Sequence, residues 1–145
     1  GIAREIAPKL GYYKPAQIHS KFLPALQRGE KMSASKPNTA IFTTDEPEVA
    51  EKKIKSAFTG GRDTIEEHRK HGGNPDIDSA FQYLYMILEE DDKKIEEIER
   101  DYRAGNLLSG ELKQIAAEKI KIFLKEHQRK RESAKKTFDK FILRD

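Results

Sequence analysis

The sequence contains no cysteine. Disulfide scaffolds and thiolate metal sites are therefore excluded, and a reducing compartment is the default expectation. No apolar run approaches the ~20 residues that a membrane-spanning helix needs, so no membrane partner is expected. The first eleven residues hold no apolar core of the signal-peptide kind, which together with the missing cysteine predicts a cytoplasmic setting. A strong excess of one charge is also lacking: 28 Lys and Arg face 25 Asp and Glu, for a net charge of +3. Composition alone thus does not call for nucleic acid. There is no internal repeat and no low-complexity tract. Only two methionines, set against many Lys and Glu, resemble the usage of thermophile proteins.

What is present is 145 residues, enough for one domain or for one domain and a piece of another. A chain of this length can bury about two-thirds of its unfolded surface. Charge is distributed unevenly. Residues 89–101 hold eight acidic and three basic side chains, and residues 127–145 hold seven basic and three acidic ones.

The character of the chain changes near Thr43–Pro47. Before it, Pro8, Pro15, Pro24 and Pro37 punctuate loops and short helical pieces. After it, helical patterns dominate. Pro47 suits the first turn of a helix with Thr44 or Asp45 as its cap, and Val49, Ala50, Ile54, Ala57 and Phe58 form its apolar stripe, ending at Thr59-Gly60-Gly61. Asp63 or Thr64 can cap a short helix closed by Gly72-Gly73. Asp76 or Asp78 can cap the next, over residues 79–89. Ile95, Ile98 and Tyr102 mark an acidic helix that stops at Gly105. Ser109 is expected to cap a final helix carrying Leu112, Ile115, Ala116, Ile120, Phe123, Leu124 and His127, running on to Leu143 or breaking near Ser133. Residues 40–43 alone read as strand. Ile2, Ile6 and Leu10 share a helical face with nothing around them to cover it, so Gly1 is read as a cut inside, or just before, a helix of a larger domain.

The chemistry is concentrated in Lys31-Met32-Ser33-Ala34-Ser35, which follows Gly29 and precedes Lys36-Pro37-Asn38. Small residues let backbone approach a ligand, and hydroxyls beside ammonium groups suit a polyphosphate. On the residues alone, a solvated Ser-rich turn is the plainer reading. The stretch nevertheless resembles the mobile ATP-loop signature, Lys-Met-Ser-Lys-Ser, of class I aminoacyl-tRNA synthetases. Around it, residues 19–27, residues 57–69 with their Gly60-Gly61-Arg62-Asp63-Thr64 block, Gly72-Gly73-Asn74-Pro75-Asp76, residues 88–92, Asp101-Tyr102, residues 108–113 and Glu126-His127-Gln128 resemble, in order, the archaeal and eukaryotic tryptophanyl branch of that family.

The resemblance implies a mainly α chain. Residues 1–44 would be the C-terminal remnant of a Rossmann-like class I catalytic domain, and residues 45–145 a helical-bundle anticodon-binding domain. It implies a tryptophan–tRNA ligase that uses ATP and Mg²⁺, has tRNA(Trp) as its partner and is a homodimer at full length. The His-x-Gly-His signature and the tryptophan pocket would lie outside this segment, so the segment alone is expected to be inactive. The tyrosyl branch and a non-catalytic helical RNA-binding domain are the alternatives.

Within that reading Lys31 is the candidate catalytic residue, steadying charge on the departing pyrophosphate. Ser33 and Ser35 are candidate ATP contacts and Met32 is a hydrophobic pin for the loop. Ala34 stands where many class I enzymes have a second lysine, and Lys36 where Asp is expected before Pro-Asn. Arg62 and Asp63 can donate to and accept from the edges of unpaired anticodon bases; a helix cap plus an ion pair is the plainer alternative. Arg129, Lys130 and Arg131 are candidates for phosphates of the anticodon stem, or simply a solvated face. The four histidines lack the spacing of a metal site. Phe81, Tyr83, Tyr85 and Phe123 are read as core or interface, and His127 as a buried, hydrogen-bonded side chain.

Overall fold

Pro47 has no N–H to lose and a fixed φ suited to a first helical turn, and it opens the first helix of the core. The computed structural model describes residues 1–141, apart from the side chain of residue 139. Its helices are α1 (Ile2–Ile6), α2 (Pro47–Lys55), α3 (Ile65–His71), α4 (Ser79–Tyr83), α5 (Asp92–Arg103) and α6 (Ser109–Lys135). Single 3₁₀ turns cover Ala7–Leu10, Pro37–Thr39 and Phe138–Phe141, and a π turn over Leu84–Leu88 extends α4. Helix α6 ends at Lys135, close to the expected break near Ser133; the described residues beyond it form a turn and the 3₁₀ segment Phe138–Phe141 and do not continue the α-helix toward Leu143.

Helix α6 is the spine. Leu112, Ala116, Ala117, Ile120 and Leu124 fall on one face of the helix and are buried along its length. They pack with Ala50, Ile54 and Ala57 from α2 and its exit, with Ala80, Phe81, Tyr83 and Leu84, and with Ile95 and Tyr102 of α5. Leu26, far upstream, is fully buried in the same cluster. Phe58 N–H donates to Leu26 O at 2.7 Å, and Leu26 N–H donates to Thr39 O at 3.0 Å. The segment bearing Lys31 is thereby tied to the helical core.

Several expectations need correction. No strand forms among the described residues; residues 40–43 find no neighbouring extended segment, and Phe42 N–H donates instead to the Asp45 carboxylate at 2.9 Å. With Asp45 so engaged and bound to Lys53 Nζ at 2.6 Å, the N-cap of α2 is Glu46, with no side-chain cap. Helix α2 ends at Lys55, four residues before Thr59, because Ser56 and Ala57 turn the chain toward Leu26. Of its expected stripe, Val49 is exposed and Phe58 half-buried. Ser109 is the first residue of α6 rather than its cap, its hydroxyl being bound to Tyr102. Tyr85 and Phe123 lie on outer faces, 54% and 40% exposed, whereas Phe81 and Tyr83 are buried. His127 is half-buried and stacks on Phe123; the buried histidine is His68.

Two expected alternatives resolve cleanly. Thr64, not Asp63, caps α3, accepting from Glu67 N–H. Asp78, not Asp76, caps α4, accepting from Phe81 N–H. Gly72 closes α3 at φ 67, and a Cβ there would run into the Arg103 carbonyl.

Candidate functional site

The Lys31 segment is an exposed turn. Gly29, at φ 73, reverses the chain, and Ser33 and Lys36 pair across a single antiparallel bridge. Buried Thr39 closes the turn from beneath: its hydroxyl accepts from Ser33 N–H at 3.1 Å and donates to Lys36 O at 2.7 Å. Ser33 and Ser35 hydroxyls lie 2.8 Å apart. Lys36 pairs with Glu30 at 3.4 Å, so its charge is partly spent at the base of the turn. Lys31 is exposed and has no ion pair among the described residues. With Met32 it borders a concavity of about 650 Å³ whose other walls include Phe22, Leu23 and Pro24. The turn thus carries an ammonium and two hydroxyls, groups of the kind that suit a polyphosphate. The described residues gather no group of three or more His, Cys, Asp or Glu that could hold a metal ion.

The second region is the corner between α2 and α3. Asp78 is fully buried, and its Oδ2 accepts from Thr59 Oγ1 at 3.0 Å, Gly60 N–H at 2.8 Å and Tyr102 OH at 2.9 Å. Since Tyr102 spends its proton on Asp78, Ser109 donates to the Tyr102 oxygen, at 3.0 Å. Gly61 N–H donates to Thr59 Oγ1 at 3.1 Å. Burial, and then the Asp78 charge, push the Tyr102 phenol up to about 12. His68 tilts against the Tyr102 ring and donates from Nε2 to Leu107 O at 2.9 Å. A Cβ on Gly61 would collide with Ser109 Oγ, so only glycine lets the corner sit this close to α6.

From this pinned backbone Arg62 and Asp63 project into solvent. Arg62 Nε–H donates to Gly72 O at 3.0 Å, and neither side chain forms an ion pair among the described residues. Neither half of the plainer alternative therefore holds: Asp63 is not the cap and Arg62 is not in an ion pair. The two residues stand between adjacent clefts of about 420 and 330 Å³. The larger is bordered by His68 and by Leu108 to Glu111 at the start of α6, the smaller by Glu67 and His71. His68 and His71 both lie in α3.

The third region is the exposed run Arg129, Lys130 and Arg131. Lys130 pairs with Glu126 at 2.6 Å and Arg131 approaches Glu132 at 3.9 Å, while Arg129 has no ion pair among the described residues. Twenty residues separate Arg129 from Ser109, so this run lies about 30 Å along α6 from the Arg62 corner. The fold does not gather the three candidate groups into one site. It presents three surfaces on one scaffold.

Of the residues that hold these surfaces, the sequence assigns no role to Thr39 or Ser79, and marks Thr59, Tyr102 and Ser109 only as parts of helices or their ends. Asp78 was visible only as a possible cap, which leaves its second oxygen unexplained.

Residues 1–125 match the family described as tRNA synthetases class I (W and Y). The chain belongs to that family. It is 62% identical over 97% of its length to the tryptophan–tRNA ligase of Sulfurisphaera tokodaii, of which it covers 37%. Identity to the human cytoplasmic tryptophan–tRNA ligase is 52%, over 90% of this chain and 28% of that protein. The crystal structure of tryptophanyl-tRNA synthetase from the hyperthermophilic archaeon Aeropyrum pernix superposes with a TM-score of 0.84 at 42% identity, covering 92% of this chain and 37% of that one. The chain thus spans between 28% and 37% of the length of these relatives.

Proposed function

We propose that this chain is the C-terminal part of a tryptophan–tRNA ligase, supplying its ATP loop and its anticodon-binding bundle. The observation that carries the reading is the free ammonium of Lys31 on an exposed turn held from below by Thr39. ATP would lie against this turn, with Lys31 following charge onto the departing pyrophosphate and Ser33 and Ser35 offering hydroxyls to the phosphates. Any Mg²⁺ would arrive on the nucleotide. Residues 1–44 would belong to the catalytic domain and residues 45–145 to the bundle.

At the other surface, Arg62 and Asp63 would read anticodon bases seated in the two flanking clefts, the guanidinium donating and the carboxylate accepting. Arg129, Lys130 and Arg131 would meet stem phosphates, each contact steepening the salt dependence of binding. The full protein would be a cytoplasmic homodimer with tRNA(Trp) as partner. Tyrosyl specificity has less support, since the relatives named above act on tryptophan by name.

The test is made in the full-length enzyme. Lys31→Ala should lower single-turnover adenylate formation more than it weakens ATP binding, since its bond forms mainly in the transition state. Arg62→Ala should weaken aminoacylation while sparing adenylate formation. An unchanged adenylation rate in the first variant, or equal losses in both assays in the second, contradicts the respective assignment.

A further inference from the structure

Two consecutive buried residues at the head of α4 serve different partners. Asp78 turns its carboxylate to Thr59 and Gly60, the backbone from which Arg62 and Asp63 project. Ser79 gives its hydroxyl to the upstream segment, donating to Ala25 O and Leu26 O, each at 3.2 Å. The same residue's N–H donates to Phe58 O at 3.2 Å, and Phe58 N–H returns to Leu26 O. Leu26 N–H donates to Thr39 O, and Thr39 in turn holds Ser33 N–H and Lys36 O. Leu26, Thr39, Asp78 and Ser79 are each at most 3% exposed. One run of hydrogen bonds therefore links the Lys31 turn through residues 39, 26 and 58 to Ser79, and a second runs from Asp78 to the Arg62 corner, the two being joined by the 78–79 peptide bond. Water cannot replace any link cheaply, because each group left unpaired in that interior pays its full desolvation cost.

We propose that Asp78 and Ser79 are positioning residues: Ser79, through Leu26 and Thr39, sets the height of the Lys31 turn, and Asp78, through Thr59 and Gly60, sets the Arg62–Asp63 corner. Neither touches nucleotide or RNA. The proposal rests on the reading of those two surfaces given above and adds the residues that aim them. It also makes the two functions separable at adjacent positions, because the hydroxyl and the carboxylate serve different partners. A residue that only stabilises the fold would damage both functions together or neither.

The experiment uses the full-length enzyme and measures single-turnover adenylate formation, ATP KM and aminoacylation of tRNA(Trp) against an anticodon-substituted transcript. Ser79→Ala should slow adenylate formation about fivefold to tenfold, the effect of one lost buried hydrogen bond, with ATP KM and anticodon preference little changed. Thr39→Val should do the same, and Thr39→Ser, which keeps the hydroxyl, should restore the rate. Thr59→Val, milder than any change at Asp78 itself, should lower anticodon preference about fivefold and leave adenylate formation within about twofold. Equal losses in both assays for either variant, or losses that track only the melting temperature, overturn the proposal. Lys31→Ala and Arg62→Ala in the same assays separate the two levels. If they show their expected losses while Ser79→Ala and Thr59→Val show none, the positioning roles fall and the assignment of the surfaces stands. If Lys31→Ala and Arg62→Ala show none, both fall.

Discussion

Replacing Asp78 by asparagine keeps the side chain's shape but removes its charge and one acceptor oxygen. In the native structure Oδ2 takes three donors, from Thr59, Gly60 and Tyr102, and Oδ1 takes Phe81 N–H at 3.1 Å. The less costly amide orientation keeps its oxygen on the three-donor side. Its NH₂ then faces Phe81 N–H, donor against donor, and the α4 cap is lost, at about 1 kcal/mol. The three retained bonds lose charge assistance, about 1 kcal/mol each if they were independent. They share one oxygen and do not add fully, so the expected total is about 3 kcal/mol. Against a folding free energy of about 5–15 kcal/mol for a domain, this is large. Urea unfolding followed by circular dichroism should show a lower midpoint at unchanged slope. A loss below about 1 kcal/mol would mean that the carboxylate is not the hub described here.

Other expectations follow from the same packing. Burial pushes Tyr83 up to about 12, and burial with the Asp78 charge does the same to Tyr102, from an ordinary 10.0. The folded chain then keeps protons that the unfolded chain releases. Stability from this source is intact below pH 10 and falls as pH rises toward 12, by about 1.4 kcal/mol per pH unit for each tyrosine. Tyr102→Phe should make that alkaline decline shallower, and identical slopes in the two proteins would refute the assignment. Glu51 accepts from Lys121 and Lys55, each at 2.7 Å, which lowers its carboxyl to about 2 from 4.5. Its contribution should be present above pH 4.5 and disappear as pH falls through about 2. The stability gap between the native chain and Glu51→Gln should therefore close in acid, and narrow in high salt because both ion pairs remain in contact with solvent; a gap unmoved by either condition argues against the pairing. Ile54 is fully buried between α2 and α6, so Ile54→Ala should cost about 2–5 kcal/mol by urea unfolding, and a change near zero would contradict the core described here.

Much of the helical order was legible because it rests on local physics. Apolar spacing marks α5 and α6, and Gly72 and Gly105, both at positive φ, mark ends that few other residues tolerate. The cap of α3 was legible to within one residue, since Asp63 and Thr64 have equally suitable side chains. The misreadings came where a local preference lost to a distant partner. Residues 40–43 have strand-like composition, but among the described residues no second strand offers a ladder, and Lys53 from α2 donates to Ala40 O instead. Asp45 could cap a helix, yet a half-buried lysine claims its carboxylate. His127 sits on what reads as an apolar face, but it stacks on Phe123 at the exposed edge of that face, while Leu124 alone continues into the core.

The candidate surfaces divide in the same way. Amino-acid order alone places a lysine among small and hydroxylated residues after a glycine, and an Arg-Asp pair after two glycines, because those features are contiguous and depend on side-chain chemistry and backbone freedom. It says nothing of why either turn holds its place. That depends on a carboxylate and a hydroxyl at positions 78 and 79, on a phenol at 102 and on a threonine at 39, brought together across separations of up to 54 residues. Buried hydrogen bonds are directional and short-ranged, so their partners exist only once the helices have packed.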